Sequence, residues 1–124
     1  MPIHKMKLNQ KPFNKISAGK KIIESRLFDK KRRSIKIGDT IHFSQKDNST
    51  KITKAKVRAL YRYNSFEDLF SDFPTRYFGG SSKKSLLKEI NCFYSPVEQI
   101  KYGVVGIRIE IYKTKKSLGR IITT

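Results

Sequence analysis

Several things are scarce in this 124-residue sequence, and each scarcity narrows the field. A single cysteine, Cys92, excludes an intramolecular disulfide and fits a reducing compartment. No apolar run approaches the roughly 20 residues of a membrane-spanning helix. Met1-Pro2-Ile3-His4-Lys5 carries no apolar stretch of a signal peptide, so a soluble, cytoplasmic protein without a membrane partner is expected. His4, His42 and Cys92 stand in no C-x-x-C or H-x-x-x-H spacing, and neither a metal nor another cofactor is expected. Gly79-Gly80-Ser81-Ser82-Lys83-Lys84 lacks the first-glycine spacing of a phosphate loop and reads as a hinge followed by a helix cap. The length excludes multidomain enzymes built on dinucleotide or nucleoside-triphosphate domains.

Acidic residues are scarce too: 10 Asp and Glu stand against 28 Lys and Arg, a net charge of +18. Such an excess repels itself in the compact state, which points to a polyanionic partner. Nucleic acid comes first and an anionic membrane surface second. What the chain does have is core material, with eight Phe and six Tyr in a chain that is 37% apolar. That supports one folded domain over 1–124 with a real hydrophobic core, and argues against intrinsic disorder.

Periodicity places the elements. Residues 3–8 alternate as a short strand, and Pro12, Phe13 and Ile16 give a helix over 11–18 that Gly19 closes. Lys20 to Phe28 reads as a strand, followed by the basic run Lys30-Lys31-Arg32-Arg33. Gly38-Asp39 turns the chain into a strand over 40–44, in which His42 is a surface residue between Ile41 and Phe43. Asp47-Asn48-Ser49 loops it into a return strand over about 51–63. Strict alternation along that strand puts Val57, Ala59, Tyr61 and Tyr63 on one face, with Arg58 and Arg62 on the other.

Ser65 caps a helix whose apolar face is Phe66, Leu69, Phe70 and Phe73, and Pro74 stops it. Leu86, Leu87, Ile90 and Phe93 mark a second helix from about 83 to 93, with Cys92 as a buried thiol. Ser95-Pro96-Val97-Glu98 has the cap, first-turn proline and capping-box glutamate of a short helix over 96–101. Val105, Ile107, Ile109 and Ile111 alternate as a half-buried strand, and a basic tail runs from Lys113. Strands around an inserted helical segment describe a small α+β domain with a curled or barrel-like sheet.

The stretch with most chemistry is Gly19-Lys20-Lys21-Ile22-Ile23-Glu24-Ser25-Arg26. On an ideal strand Ile22, Glu24 and Arg26 share a face, and Lys21 joins them only if the strand begins irregularly after Gly19. A Lys, a Glu and an Arg gathered in a cleft suit a base edge and a phosphate together, because Glu accepts from a base amino group and Arg binds bidentately. The plainer reading of the spacing is a surface ion pair between Glu24 and Arg26.

This stretch resembles the G-x-K-x-x-E-x-R signature of the ASCH domain family in the PUA-like superfamily. Met6-Lys7-Leu8 with Pro12-Phe13, Ile35 to Ile41, Tyr94-Ser95 and Tyr102 to Ile107 fall in the order of bacterial ASCH proteins. The resemblance covers about residues 4–112 and leaves 113–124 as a tail. It implies a small PUA-like β-barrel with flanking and inserted short helices, and a cleft lined by the signature residues. ASCH domains are regarded chiefly as RNA-binding modules.

One bacterial ASCH-type group hydrolyses 4-acetylcytidine with a Lys and a Thr of the signature and a Glu from the later helical segment. Lys21 matches that Lys, Glu24 stands in place of the Thr, and Tyr77 to Lys84 holds no Glu.

The first expectation is therefore an RNA-binding module, monomeric or weakly oligomeric. Its contacts are Lys21, Glu24 and Arg26 in the cleft, Lys20 with Lys30, Lys31, Arg32 and Arg33 on the basic surface that holds phosphates, and Phe78, beside the Gly79-Gly80 hinge, as the exposed stacking aromatic. Tyr61 and Tyr94 are read as core packing. The alternatives are a small amidohydrolase acting on a modified nucleoside, with Lys21 and Glu24 catalytic, and a protein- or ribosome-docking module.

Overall fold

The computed structural model describes residues 2–112, so the expected basic tail lies outside the described residues. Five strands form one mixed sheet in the order β1-β3-β4-β5-β2: β1 (Ile3–Leu8), β2 (Ile23–Leu27), β3 (Thr40–Gln45), β4 (Asn48–Tyr63) and β5 (Val104–Ile111). Only β1 against β3 is parallel; the other neighbours are antiparallel. The sheet curls into a half-barrel whose two edges, β1 and β2, face each other across an open seam. This is the expected α+β architecture.

Helices follow their sequence signals. Between β1 and β2 lies α1 (Gln10–Ser17), ended by Gly19 at φ +74°. The inserted segment is α3 (Phe66–Ser71), a 3₁₀ turn Thr75–Phe78, α4 (Lys83–Ile90) and α5 (Pro96–Tyr102). Ser65 accepts from the Asp68 amide at the start of α3. Ser95 and Glu98 make the full reciprocal capping box at the start of α5.

Two apolar clusters lie on opposite faces of the sheet. The inner one packs Met6, Leu8, Phe13, Ile16, Ile41, Phe43, Val57, Val105 and Ile107 inside the curl, with α1 across it. The outer one seats Phe66, Leu69, Phe70, Phe78 and Leu86 of the insert on Ile23, Leu27 and Val104. Gly106 lets α3 lie this close, since a Cβ there would stand 2.9 Å from a Leu69 methyl.

Two expectations need correction. A β-bulge passes over Arg58 in β4: Val57 pairs with Ile109 but Ala59 pairs with Arg108. The extra residue flips the alternation, so Val57 and Leu60 face the inner cluster while Tyr61 and Tyr63 face the outer one. The helix expected over 83–93 stops at Ile90, capped by Asn91, leaving Cys92 exposed and Phe93 53% exposed. The basic run, to which the sequence assigned no element, forms a short helix, α2 (Lys30–Arg33), because Asp29 caps it by accepting from the Arg32 amide and pairs with the Arg32 guanidinium at 2.9 Å.

Candidate functional site

The seam between β1 and β2 is where the signature residues meet. The strand starts at Ile23, not at Lys20, because the Lys20 and Lys21 amides donate back to the Lys15 carbonyl and close the end of α1. That irregular start frees Lys21 from the strand's alternation. Its ammonium reaches Glu24 Oε1 at 2.8 Å, and Arg26 Nε donates to Glu24 Oε2 at 2.7 Å. Arg26 Nη2 also donates to the Lys7 carbonyl at 3.2 Å, bridging one edge of the half-barrel to the other.

Glu24 is 3% exposed. Burial by itself raises a carboxylate's pKa, but here the Lys21 ammonium and the Arg26 guanidinium, with the hydrogen bonds they donate, outweigh it and hold Glu24 at about 2. Arg26 is pushed upward in turn: burial lowers it, and the Glu24 charge overcomes that. Glu24 is therefore a carboxylate and Arg26 a cation at neutral pH. Each oxygen of Glu24 has one charged donor and keeps a second lone pair for a ligand.

These groups stand in a cleft of about 220 Å³, smaller than the roughly 300–1,000 Å³ of drug-sized sites. That volume suits one heterocycle. The rim is basic: Lys7, Lys11, Lys15 and Lys46 join Lys21 and Arg26, against Glu24 and Glu89. Phe70, Phe78, Leu86, Phe93 and Tyr94 give the apolar surface. Ser25 adds backbone. The Ile109 amide donates to the Ile22 carbonyl and the Phe28 amide to the Gly103 carbonyl, so the even-numbered residues of β2 bond to β5. Alternation then aims the Ser25 N–H and C=O into the seam.

The structure thus brings together Lys21, Glu24 and Arg26, as expected. It does not bring Lys20 or Lys30 to Arg33 into the cleft. Phe78, expected to be exposed, is corrected: it is 4% exposed, packed edge-on against Phe70 at 4.8 Å, because the 3₁₀ turn folds it back under the insert. The exposed aromatic at the cleft is Phe93, with the Lys46 ammonium 5.8 Å from its ring centre. Tyr61 and Tyr94 are half-buried, Tyr61 tilted against Phe73 and Tyr94 stacked on Phe66.

Lys7, Lys11, Lys15, Lys46 and Phe93 were not legible as site residues. They come from β1, α1, the β3–β4 turn and the α4–α5 connection, and only the folded seam makes them neighbours. His4 was missed in another sense: its Nε2 lies 2.8 Å from Asp39 Oδ2, a structural pair at the start of the sheet. No group of three or more His, Cys, Asp or Glu side chains converges among the described residues. No helix among them is long and apolar enough to cross a membrane.

A mixed half-barrel with a polar cleft at its seam and a helical insert on its outer face is a PUA-like domain. The ASCH domain profile matches residues 6–113, and the chain belongs to that family. Among solved structures it is similar to the crystal structure of the hypothetical protein PH0355, with 36% identity, a TM-score of 0.80, and coverage of 90% of this chain and 100% of that one. It is also similar to the solution NMR structure of protein PF0455 from Pyrococcus furiosus, with 32% identity, a TM-score of 0.67, and coverage of 91% and 100%. A crystal structure of ASCH from Zymomonas mobilis shares the fold at 15% identity, with a TM-score of 0.62 and coverage of 87% and 66%. No curated protein matches the sequence at a significant level.

Proposed function

We propose that this protein binds RNA, taking one nucleotide into the seam cleft. The observation that carries the reading is Glu24, a buried ionised acceptor flanked by two cationic donors in a cleft rimmed by lysines. An acceptor between donors complements an exocyclic amino group beside ring acceptors, as on cytosine or adenine. The Ser25 backbone adds one donor and one acceptor at the same edge. Phe93 offers an exposed ring for stacking, and the lysine rim offers charge to phosphates. Membership of a family generally regarded as RNA-binding agrees with this.

Hydrolysis of a modified nucleoside such as 4-acetylcytidine is the weaker reading. Lys21 and Glu24 are both present, but a carboxylate held at about 2 is a poor general base near neutral pH. Glu89, the other carboxylate lining the cleft, is exposed.

The test is binding of short single-stranded RNA at near-physiological salt, with Lys21→Gln and Glu24→Gln against Lys51→Gln on the far end of β4. Loss confined to the two cleft variants supports the reading; equal loss in all three contradicts it. Cytidine release from 4-acetylcytidine, abolished in Lys21→Gln, would establish the hydrolase instead.

A further inference from the structure

A second concentration of charge lies beside the cleft and outside it. Arg26, Val105 and Arg62 stand in one row across β2, β5 and β4, and directly paired residues share a face of the sheet. Phe28 follows Arg26 by two residues and lies on that same face, about 7 Å along the strand. The Arg62 guanidinium carbon is 4.1 Å from the centre of the Phe28 ring, and that of Arg33 is 4.6 Å. The Phe28 amide donates to the Gly103 carbonyl, which ties Phe28 to the start of β5.

Among the described residues neither Arg33 nor Arg62 forms an ion pair, although Asp68 and Asp72 line a shallow pocket with Arg62. The ion pairs among the described residues engage His4, Lys21, Arg26, Arg32 and Lys83, and residues 113–124 contain no Asp or Glu. Asp29, the nearest acid in sequence, is committed to Arg32 and the α2 cap. Lys30 and Lys31 stand exposed on the adjoining turn. Two guanidinium groups gathered on one ring repel each other, and an anion between their free N–H edges relieves that repulsion. Contact with the ring restricts both exposed guanidinium groups before any ligand arrives, which reduces the side-chain entropy lost on binding.

We propose that Phe28, Arg33 and Arg62 form a phosphate subsite for the nucleotide flanking the one in the cleft. The inference rests on the RNA reading of that cleft and deepens it. The ligand becomes a single-stranded polymer running from the seam across the end of β2, and a free nucleoside fills only part of the surface.

The test uses a fluorescent short oligoribonucleotide and cytidine monophosphate as the two ligands. Binding of each is followed as a function of salt for the wild type, Arg33→Gln/Arg62→Gln, and Lys51→Gln/Lys54→Gln. The last pair removes equal charge from the far end of β4. The arginine variant is expected to flatten the oligonucleotide's log K against log salt slope by about 1.4, at about 0.7 per lost phosphate contact on a single strand. Its affinity for the mononucleotide is expected to stay at the wild-type value, and the lysine variant to flatten the slope by clearly less. Phe28→Leu, which keeps an apolar side chain but removes the ring, is expected to weaken oligonucleotide binding alone.

Equal slopes in the two double variants would overturn the subsite while leaving the cleft reading intact. Parallel loss of both ligands in the arginine variant would also overturn it, by making these arginines part of the cleft. A wild type that binds neither ligand would overturn the cleft reading, and the subsite with it.

Discussion

Glu24 is 3% exposed with two cations on its oxygens, and that arrangement sets the protein's response to acid. Its pKa of about 2 in the folded state lies below the 4.5 of an ordinary glutamate. A depressed carboxylate contributes stability that is complete above the unfolded pKa and is lost as pH falls through the folded one. The window is thus about pH 4.5 down to 2, with about 3 kcal/mol at stake. Urea denaturation across pH should show the gap between wild type and Glu24→Gln widest near neutrality and closing through that window. A gap independent of pH would contradict the ion-pair geometry. Phe93→Ala makes the opposite kind of prediction. Because the ring is 53% exposed, stability should change by less than about 0.5 kcal/mol. RNA affinity should fall by about 1–3 kcal/mol if a base stacks there. Glu24 and Arg26 were legible from strand parity, but Lys21 only from the signature resemblance, because parity alone sets it on the other face and the irregular strand start brings it back. The aromatic was not legible. Phe93 continues the i, i+3, i+4 pattern of Leu86, Leu87 and Ile90 as well as any core residue does, and only the stop at Asn91 releases it. Phe78 looked free beside two glycines, yet the chain reversal they allow is what folds its ring under Phe70.

Among the elements, α5 and the 3₁₀ turn carry the sharpest tests. Ser95→Ala removes one half of the capping box and should cost about 1 kcal/mol in thermal or urea unfolding. Gly79 sits at φ +79°, where an added Cβ would lie 3.1 Å from Lys21 Cβ and 3.2 Å from Lys15 Cδ. Lys15 also donates to the Gly79 carbonyl, tying α1 to the insert over the Lys21 stem. Gly79→Ala should therefore destabilise by about 1 kcal/mol or more and weaken RNA binding as well, since Lys21 must move. A variant destabilised with unchanged RNA affinity would remove this glycine from the site. Elements with local signals were legible: the caps at Ser65 and Ser95, the stop at Gly19, the alternation of β5. The bulge at Arg58 was not, because one unpaired residue leaves no mark in an alternating pattern and is decided by pairing with Arg108 and Ile109. The α2 turn was hidden for a related reason, its four basic residues hiding the capping role of Asp29.

For the whole molecule, a charge of +18 guarantees some association with any polyanion at low salt, so bulk affinity says little about a site. What the fold adds is direction. It opens the half-barrel between its edge strands and bridges the gap with Arg26. It also collects lysines there from four separate stretches of chain. The rim could not be read from sequence because nothing local relates Lys7, Lys15 and Lys46; the register of β1 on β3 and the return of α1 bring them together. Amide chemical-shift mapping with cytidine monophosphate at near-physiological salt tests this most directly, since a mononucleotide has too little charge to reward general basicity. The account predicts saturable shifts concentrated at Lys21–Arg26, Lys7–Asn9 and Phe93–Tyr94. Shifts spread over exposed lysines without saturation, or confined to a surface away from the seam, would contradict it.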